Sequence, residues 1–502
     1  MNNTEATRIV SGGERRVTID VLLDAIGVEE RFGNKRDDIE ISAITADSRE
    51  VSPGTMFVAV CGVSVDGHKY IPSAIAGGAV AIVVEWVPEE IPSGVAVIRV
   101  KDCREALGYL ASRYYGDPSE ELTLVGVTGT NGKTTIATLL YEMARMNGQK
   151  AGLLSTVVNM IDTEALAADH TTPDPVRLNN LLRRMVDAGC TFAAMEVSSH
   201  AADQHRIAGL TFAGGVFTNL TRDHLDYHKT FEAYLRAKKS FFDMLPADAF
   251  ALVNADDKNG SVMLQNTKAR CASYSTRDLA DYRVRVIENR LDGMLLDFDG
   301  SHVETMFAGS FNASNLAAVY GASLLLGIKR DDALVYISRL RPVAGRFQPM
   351  RSPDGITAIV DYAHTPDALI NVLDTIRDIS GDAHVITICG AGGNRDKGKR
   401  PLMARAAAER SDVVILTSDN PRNENPESIL ADMRAGLDEY QLARTFTISD
   451  RRKAIEEAVK IAEPGDVILL AGKGHETVQV IGECEIHFDD REEMIKAFGL
   501  KH

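Results

Sequence analysis

Short apolar runs alternate with amphipathic stretches along most of the chain. In the first part, MFVAV at 56–60, AVAIVVE at 79–85 and VAVIRV at 95–100 are separated by helix-like stretches such as IPSAIAGG. Strand-like runs that alternate with helical segments are typical of α/β domains. The pattern therefore predicts a small α/β domain over about residues 18–115.

The alternation begins again after a Gly-Asp-Pro turn signal at 116–118. TLVGVT at 123–128 enters a glycine-rich loop, and the following KTTIATLLYEMARM is predicted to be a helix. AAMEVSS at 193–199, AGGVFTNL at 213–220 and FALVNA at 250–255 then alternate with amphipathic helices. This is the pattern of a mostly parallel sheet covered on both faces.

A third series of strands, TAIVDYA, HVITICG, DVVILTS and DVILLAG, follows RPVAGRF at 341–347. We therefore predict an α/β fold of three domains, with a central P-loop-type, mostly parallel sheet and a C-terminal Rossmann-like domain. The predicted domains are residues 1–117, 118–341 and 342–502.

Composition and charge narrow the class of protein. The 502 residues, 45% hydrophobic and 25% charged, are typical of globular domains, and the six cysteines include no CxxC pair that would indicate a zinc site. A net charge of −16 argues against a general nucleic-acid or membrane surface. No apolar run approaches the roughly 20 residues needed to span a bilayer. We expect a cytoplasmic monomer without nucleic-acid or membrane partners.

The glycine-rich segment GVTGTNGKTT at 126–135 is the clearest chemical signal. Backbone N–H groups and a helix N-terminus at this place can hold phosphate oxygens. Lys133 would contact the β- and γ-phosphates of ATP, and Thr134 would bind Mg²⁺. The commonest phosphate loop has glycine where Val127 stands, so this is a variant. The structural alternative is a turn that only packs a strand against a helix.

Glu196 is a candidate second metal ligand. It lies near the end of the predicted strand at 193–199, and the carboxyl ends of parallel strands face the crevice in which nucleotides bind. A carboxylate suits Mg²⁺. For this residue alone, a solvated or capping glutamate is an equally good interpretation.

Several segments together resemble the Mur ligase family, and the resemblance runs from DSR at 47–49 to FDDRE at 488–492. The segments are GTNGKTT at 129–135, EVSSH at 196–200, NLTRDHLDYH at 219–228, DYAHTPD at 361–367 and GAGGNRDKGKRP at 390–401. The resemblance implies an N-terminal domain for the UDP end of the substrate, a central ATPase and a C-terminal domain that receives an amino acid.

Within the family, the chain most resembles the members that add the third residue of the cell-wall peptide. This implies an ATP-dependent ligase that joins meso-diaminopimelate to UDP-N-acetylmuramoyl-L-Ala-D-Glu through an acyl-phosphate, in peptidoglycan precursor synthesis. The activated carboxylate would be the γ-carboxylate of the glutamyl residue. Mg²⁺ would be the cofactor and ATP the co-substrate.

The resemblance also implies which residues bind ATP and the UDP-linked substrate. ATP would be held by Gly129, Thr130, Asn131, Gly132, Lys133, Thr134, Thr135, Asn312, Arg346 and Asp361. The UDP-linked substrate would be held by Ser48, Thr171, Thr172, Ser198, Gln204 and Arg206. Asn315, like Asn312, resembles the family residues that line the adenosine and phosphates. As isolated residues, Thr171 and Thr172 would more often be a helix N-terminal cap, the pair Asn312 and Asn315 would also cap a helix, and Ser48 would be a turn residue.

Catalysis would depend on Lys133, Lys238 and His224. Lys238, in FEAYLRAKKSFFD at 231–243, matches the lysine that is carbamylated in the family. As a carbamate it would join Thr134, Glu196 and His224 as a metal ligand. From its sequence context alone, Lys238 would be a surface or ion-pairing lysine.

The DNPR sequence at 419–422 follows the predicted strand DVVILTS. In the resembled family, DNPR marks the members that add meso-diaminopimelate, whose second carboxylate a guanidinium can bind in bidentate fashion. The implied pocket consists of Arg395, Asp419, Asn420, Pro421, Arg422, Gly472 and Glu476. Within it, Arg422 would bind the distal carboxylate and Glu476 the distal ammonium. The structural alternative for DNPR is an Asx-type turn.

Several alternatives stay open from the sequence. The runner-up is a lysine-adding ligase. DSR at 47–49 and DNPR at 419–422 argue against a folylpoly-γ-glutamate synthetase and the neighbouring dipeptide-adding ligase. A P-loop switch protein would leave the DNPR, NRD and GKGHE segments without a purpose. Two departures from the family pattern, Lys229 in place of glycine and RPVAGRFQ at 341–348, leave the local backbone shape open. Because the ATP and amino-acid sites lie on different domains, we also predict a hinge near 340–346.

Overall fold

Five β-sheets organise the part of the chain that the computed structural model describes, which comprises residues 7–9, 15–62, 65–90, 94–168, 170–221 and 225–499. The three largest sheets have five, eleven and six strands and follow one another along the chain. Each combines strands with covering helices, so the predicted α/β class is confirmed. Within these ranges, no helix is long and apolar enough to cross a membrane.

The N-terminal domain contains the five-stranded sheet and a small antiparallel one. Its strands are β1 Thr7–Ile9, β2 Arg15–Thr18, β3 Val28–Gly33, β4 Glu40–Ile41, β5 Ala43–Thr45, β6 Thr55–Val58, β7 Ala81–Val84 and β8 Ala96–Val100. Its α-helices are α1 Ile19–Leu23, α2 Ile71–Ala76 and α3 Cys103–Tyr114, with 3₁₀ turns at Ser48–Glu50 and Gly67–Tyr70. The larger sheet has the order β3-β8-β7-β6-β5, parallel except for β3.

The central domain is built on the eleven-stranded sheet. Its strands are β9 Thr123–Thr128, β10 Ala151–Leu154, β11 Val158–Ile161, β12 Glu164–Ala167, β13 Phe192–Glu196, β14 Gly214–Phe217, β15 Phe250–Asn254, β16 Arg270–Ser275, β17 Tyr282–Arg290, β18 Gly293–Phe298 and β19 Ser301–Thr305. Its helices are α4 Lys133–Met146, α5 Pro175–Asp187, α6 Ser199–Asp203, α7 Leu225–His228, α8 Phe231–Asp243, α9 Gly260–Met263, α10 Ser310–Leu325 and α11 Arg330–Arg339, after a 3₁₀ turn at Pro118–Glu120.

Strand order places the phosphate-loop strand in the middle of the central sheet. The order is β12-β11-β10-β13-β9-β14-β15-β16-β17-β18-β19, and the run from β10 to β17 is parallel. Separate apolar clusters cover the two faces, one under α4 and α10 and the other under α5 and α8. The mostly parallel sheet is therefore confirmed, but the antiparallel strands at both ends were not predicted.

The C-terminal domain contains the six-stranded sheet and a hairpin. Its strands are β20 Gln348–Arg351, β21 Thr357–Asp361, β22 Val385–Cys389, β23 Val413–Leu416, β24 Thr445–Thr447, β25 Val467–Ala471, β26 Val478–Ile481 and β27 Cys484–His487. Its helices are α12 Pro366–Ser380, α13 Lys399–Arg410, α14 Pro426–Arg434, α15 Glu439–Leu442, α16 Arg451–Ile461 and α17 Asp490–Ala497. The order β20-β21-β25-β22-β23-β24 is parallel except for β20, so the loops after β21, β25, β22 and β23 leave the sheet at one edge.

At the junction between the central and C-terminal domains, residues two positions apart pack against different domains. Val343 is buried in the apolar cluster of the central domain. Gly345, at φ +66°, lies against the backbone of Gly474 and His475, and a Cβ at this position would overlap it. Ala344 between them is exposed. The predicted hinge at 340–346 stays a prediction, and this packing narrows it to the vicinity of Ala344.

Candidate functional site

A cleft of about 1410 Å³ lies between the central and C-terminal domains. Its central-domain wall is formed by the loops that follow β9, β13 and β14. Its C-terminal wall is formed by the loops that follow β21, β22, β23 and β25. Since ligands of open α/β sheets bind at the carboxyl ends of strands, this is the expected place for a substrate site.

The phosphate loop, residues 129–135, connects β9 to α4 and needs its glycines. A Cβ at Gly129 would overlap the Thr218 hydroxyl, and one at Gly132 would lie 2.6 Å from Oδ1 of Asn315. Both glycines have positive φ, +149° and +87°. Val127 is a buried residue of β9, so the glycine that the commonest motif has at 127 is not needed for this turn. The loop does pack a strand against a helix, as in the simple-turn alternative. It also opens into the cleft, so packing is not its only role.

The N-terminus of α4 and two cations face the same part of the cleft. Nζ of Lys133 donates to the carbonyl oxygens of Gly129 and Thr130 at 3.0 and 2.8 Å. Nη2 of Arg346, from the start of the C-terminal domain, donates to Oγ1 of Thr134 at 3.1 Å. A helix N-terminus flanked by a lysine and an arginine is suited to a polyphosphate. All residues 130–135 line the cleft, whereas Gly129 only supports it.

Glu196 ends β13 and is almost fully buried, with 1% of its surface exposed. Oε1 accepts a hydrogen bond from the backbone N–H of Thr156 at 2.7 Å. Oε2 is buried and has no hydrogen-bond partner among the described residues. Because a buried carboxylate oxygen needs a partner, and hydroxyl and carboxylate oxygens are ligands that Mg²⁺ prefers, Glu196 and Thr134 fit a magnesium ion.

Lys238 lies on the inner face of α8. The buried residues of this helix are Tyr234, Ala237, Lys238, Phe241 and Phe242, which is the spacing of one helical face. Only 1% of Lys238 is exposed, so the surface interpretation is wrong. Its Nζ donates to the carbonyl of Gly129 at 2.7 Å and lies 4.8 Å from the Tyr234 ring centre.

His224, the other candidate residue near this helix, lies outside the described residues. Lys229, the departure from the family pattern two residues before α8, has φ +63°. That left-handed conformation is the one that glycine adopts without strain. The lysine therefore keeps the backbone shape that the glycine of the family pattern would favour.

Hydroxyl, amide and guanidinium groups line the cleft beyond Glu196. The Thr172 hydroxyl donates to the carbonyl of Glu196 at 2.8 Å, and Nη1 of Arg206 donates to the carbonyl of Thr172 at 2.8 Å. Burial lowers the pKa of Arg206 from its ordinary value, and Oε1 of Gln204 accepts from its guanidinium at 2.8 Å. The helix-cap alternative for the threonines is wrong, because Asp174 is the N-cap of α5.

Thr171 and Ser198 complete this group. The Thr156 hydroxyl donates to the Thr171 hydroxyl at 3.0 Å. Ser198 lines the cleft and also caps α6, since its hydroxyl accepts from the N–H of Ala201. Gln204 is not among the cleft-lining residues and instead orients Arg206. Thr156 was not predicted from the sequence, because an isolated threonine after a strand carries no signal.

Ser48 lies apart from this cleft, in the 3₁₀ turn that follows β5 of the N-terminal domain. In the same domain Cys61, Asp66 and His68 bring their side chains together. The N–H of Glu85 donates to Nε2 of His68 at 3.1 Å, so Nδ1 carries the proton that bonds to Asp66 at 2.9 Å. This trio is therefore a hydrogen-bonded support for its loop, not a metal site.

Two asparagines and an aspartate predicted to contact ATP have different positions. Asn315 lines the cleft, whereas Asn312 is buried behind it and accepts from Asn315 at 3.2 Å. Asp361 accepts from the N–H groups of Phe347 and Ala363 at 2.7 and 2.8 Å. Burial raises the pKa of Asp361, and the Arg346 charge and these N–H groups oppose the rise.

Tyr362 lies on the C-terminal wall of the cleft and was not predicted. The Arg346 guanidinium lies 4.6 Å from its ring centre, and the His475 ring lies 5.0 Å from it on another side. Burial, and then the negative charge of Glu476, raise the pKa of Tyr362 to about 12, so the phenol stays protonated. The ring therefore holds Arg346 near the phosphate loop.

The charged pocket is formed by the loops after β22, β23 and β25 and contains both signs of charge. Its members are Arg395, Asp419, Asn420, Arg422, Gly472 and Glu476, all of which line the cleft, together with Pro421, which does not. Nδ2 of Asn420 donates to Oε2 of Glu476 at 2.7 Å. The side chain of Asn420 thus holds a residue 56 positions away, so the Asx-turn alternative is wrong for it.

The hairpin β26–β27 supports the charged pocket from behind. The N–H of Arg422 donates to the carbonyl of Val480 at 3.0 Å, and the N–H of Val480 donates to Oδ1 of Asn420 at 3.0 Å. Nε2 of Gln479 donates to the carbonyl of Asp419 at 2.7 Å. Arg422 itself has φ +51° and donates from Nη1 to the carbonyl of Gly393 at 2.9 Å.

The fold and the cleft define a phosphate-loop nucleotide-binding protein with a second, charged ligand pocket on a neighbouring domain. Family models agree with this class. Those described as "Mur ligase family, catalytic domain", "Mur ligase middle domain" and "Mur ligase, glutamate ligase domain" match residues 40–115, 127–323 and 345–474.

Full-length relatives are also similar. The UDP-N-acetylmuramoyl-L-alanyl-D-glutamate--2,6-diaminopimelate ligase of Parabacteroides distasonis is 59% identical over 482 residues, which is 96% of this chain and 99% of the relative. The ligase of the same name from Bacteroides fragilis is 58% identical over 480 residues, 95% and 99% of the two chains. A solved structure with that name has a TM-score of 0.68 at 33% identity and covers 96% of this chain and 99% of its own. The chain belongs to the Mur ligase family.

Proposed function

We propose that the chain is an ATP-dependent amide ligase that adds meso-2,6-diaminopimelate to UDP-N-acetylmuramoyl-L-Ala-D-Glu through an acyl-phosphate, in peptidoglycan precursor synthesis. One observation carries the proposal: the phosphate loop, the Thr172 and Arg206 donors and the charged pocket line a single cleft. Relatives of 58% and 59% identity are named for this reaction. Such a cleft brings a polyphosphate, a carboxylate and an amino acid together.

In the first step, the γ-carboxylate of the glutamyl residue attacks the γ-phosphorus of ATP, and ADP leaves. Lys133 and Arg346 reduce the repulsion between the negative charges of the carboxylate and the phosphates. Arg346 suits this task because it reaches the phosphate loop from the C-terminal domain and bonds to Thr134. Asn315 and Asp361 lie on the nucleotide side of the same cleft.

Thr134 and Glu196 would hold Mg²⁺, which would supply positive charge to the phosphates of ATP. In this proposal Lys238 is carbamylated. Its neutral amine adds carbon dioxide and loses a proton. The change would replace a buried cation beside the phosphate loop by an anion able to bind a metal. His224 belongs to the same proposed ligand set, and it lies outside the described residues.

The UDP-linked substrate spans two domains in this proposal. Ser48 contacts its uridine end in the N-terminal domain. Thr171, Thr172, Ser198 and Arg206 donate to its anionic groups near Glu196, and Gln204 orients the guanidinium. Hydroxyl and guanidinium donors are the groups that bind phosphates and carboxylates.

The amino acid occupies the charged pocket in the second step. Arg422 and Arg395 bind the distal carboxylate of diaminopimelate, and Glu476 binds its distal ammonium. The free amine attacks the carbonyl carbon of the acyl-phosphate, loses a proton, and inorganic phosphate leaves. Lysine lacks the second carboxylate, so it would leave the two guanidinium groups without an anion. This argues against the lysine-adding alternative.

The reaction would take place in the cytoplasm and would need only a monomer. Rotation of the C-terminal domain about Ala344 would bring the amine within about 3.5 Å of the acyl carbon. Compaction in solution scattering on addition of substrates would test this closure.

The deciding experiment measures ADP release with UDP-N-acetylmuramoyl-L-Ala-D-Glu and compares meso-diaminopimelate, L-lysine and no amino acid. We expect turnover with diaminopimelate alone, and a product whose mass is that of the tripeptide. Turnover with lysine at a similar rate would contradict the assignment of Arg422. ADP release independent of any amino acid would favour a nucleotide switch instead.

A further inference from the structure

Lys473 is completely buried beneath the charged pocket and does not line the cleft. Its Nζ donates to the carbonyl of Val478 at 2.6 Å, which ties it to the start of β26. The same Nζ lies 3.4 Å from Oε2 of Glu476 and 4.0 Å from Oδ1 of Asp419. A buried lysine needs anionic or carbonyl partners, and these three groups are among those that Lys473 has.

The charges around Lys473 do not balance. Asp419 and Glu476 both lie within 4.0 Å of this one ammonium, so these three groups together carry one negative charge in excess. Oδ1 of Asp419 is buried and has no hydrogen-bond partner among the described residues. In the proposed reaction Arg395 and Arg422 bind the distal carboxylate, so we expect the second cation near these carboxylates to come from the ligand. In the proposed reaction, the distal ammonium of the amino acid is that cation.

Lys473 also fixes the geometry of the acceptor. Oδ1 of Asn420 lies 3.4 Å from its Nζ, and Nδ2 of Asn420 donates to Oε2 of Glu476 at 2.7 Å. Lysine, asparagine and glutamate thus form a closed triangle of hydrogen bonds. Oε1 of Glu476, the carboxylate oxygen outside this triangle, can then face the cleft.

We propose that Lys473 is a positioning residue that holds the Glu476 carboxylate in place as the acceptor for the distal ammonium of the amino-acid substrate. The inference rests on the proposed function and deepens it. Lys473 acts through Glu476 and does not contact the substrate. Without Lys473, neither Asp419 nor Glu476 would have an ion-pair partner within 4 Å among the described residues, and the charged form of Glu476 would be disfavoured.

The pH dependence of the site follows from the groups that face Glu476. These are Asp419 after β23, Tyr362 after β21, and Lys473 on its own loop. Burial raises the pKa of Glu476, Asp419 raises it further, and Lys473 and Asn420 oppose the rise. Removal of the Lys473 charge therefore raises the pKa again. The protonated fraction of Glu476 is then larger than in the wild type, and it falls as the pH increases.

The test replaces Lys473 by glutamine, which keeps a donor for the Val478 carbonyl but removes the charge. At pH 7 we expect the KM for diaminopimelate to rise by about 10- to 100-fold, the range for hydrogen bonds to charged groups. The ratio of this KM to the wild-type value should fall as the pH is raised toward 9. The KM values for ATP and for the UDP-linked substrate should not change.

Lys460→Gln is the matched control, because Lys460 lies on α16 of the same domain and pairs at the surface with Glu457. It should leave all three KM values unchanged. A double-mutant cycle with Glu476→Gln separates positioning from general packing. If Lys473 acts through Glu476, the double variant has no higher KM than Glu476→Gln alone. Additive effects would overturn the proposal.

Other outcomes are also decisive. An unchanged KM for diaminopimelate in Lys473→Gln, or a KM ratio that does not vary with pH, would overturn the inference. Lys473→Met is the second variant, and failure of both to fold would also overturn it by assigning Lys473 to stability. Wild-type protein that shows no diaminopimelate-dependent turnover would instead reject the proposed function, so the two failures are distinguishable.

Discussion

The phosphate loop and the charged pocket lie in one cleft but are built in different ways. The phosphate loop is a single stretch, 129–135, whose backbone faces the ligand at the start of α4. The charged pocket takes side chains from loops after three strands, and a hairpin supports it from behind. A backbone site depends on local shape, whereas a side-chain site depends on distant parts of the fold.

The two regions also differ in charge. Lys133, Arg346 and helix N–H groups dominate the phosphate loop, with Glu196 as its nearby carboxylate. The charged pocket contains two carboxylates, two arginines and the buried Lys473. The first arrangement suits a polyanion with a metal ion, and the second suits a ligand that carries both signs of charge. Substitutions in the two regions should therefore affect the kinetics of different substrates.

The largest expected effect comes from Glu196→Gln, beside the phosphate loop. Glutamine can keep the hydrogen bond that Oε1 accepts from Thr156 but cannot offer a second anionic oxygen. If Glu196 holds Mg²⁺, kcat should fall by about 100-fold and the Mg²⁺ concentration for half-maximal activity should rise. The measurement is ADP release over a Mg²⁺ titration, with the KM for diaminopimelate unchanged.

Glu164→Gln provides the control, since Glu164 lies on β12 of the same sheet and pairs with Arg184 at the surface. It should alter neither quantity. A Glu196→Gln variant with a normal Mg²⁺ requirement would contradict the metal assignment, and the unpartnered oxygen would then need another explanation.

An intermediate effect is expected from Arg422→Lys in the charged pocket. Lysine keeps the positive charge and the same left-handed backbone requirement but loses the bidentate fork. We expect kcat/KM for diaminopimelate to fall by about 30-fold, or about 2 kcal/mol, while the poor activity with lysine changes little. Discrimination between the two amino acids, measured by competition, should shrink by the same factor.

Arg434→Lys is the comparison for this change, because Arg434 on α14 bonds to Thr447 at the far side of the domain. Equal losses with diaminopimelate and lysine in Arg422→Lys would mean that the residue supports the fold of the pocket without reading the distal carboxylate.

The same contrast explains what could be predicted from the sequence. The phosphate loop and α4 were predictable because glycines and helical periodicity are local signals, and α4 has the predicted bounds Lys133–Met146. The interior position of Lys238 also has a local signal, since it falls on the apolar stripe of α8. A surface position for Lys238 is inconsistent with that stripe.

The features that were not predicted from the sequence depend on tertiary packing. Lys473 stands between Gly472 and Gly474, and nothing local distinguishes a buried lysine from an exposed one there. The antiparallel strands β17–β19 contain many exposed polar residues, as loops do. Tyr362 and Gln479 have roles only because separate loops meet at one edge of a sheet. Such contacts are decided by strand order, which periodicity does not encode.

The smallest expected effect tests the hairpin behind the charged pocket. Gln479→Leu removes the bond from Nε2 to the carbonyl of Asp419, which should raise the KM for diaminopimelate by about 5-fold, or about 1 kcal/mol, and leave the KM for ATP unchanged. Gln441→Leu is the matched control, since it removes a side-chain bond to the N–H of Asp438 in the cap of α15 and should lower stability without altering either KM. If Gln479→Leu also lowers only stability, the hairpin stabilises the domain without shaping the pocket. The pocket would then depend only on the loops after β22, β23 and β25, and its contrast with the local phosphate loop would be limited to those loops.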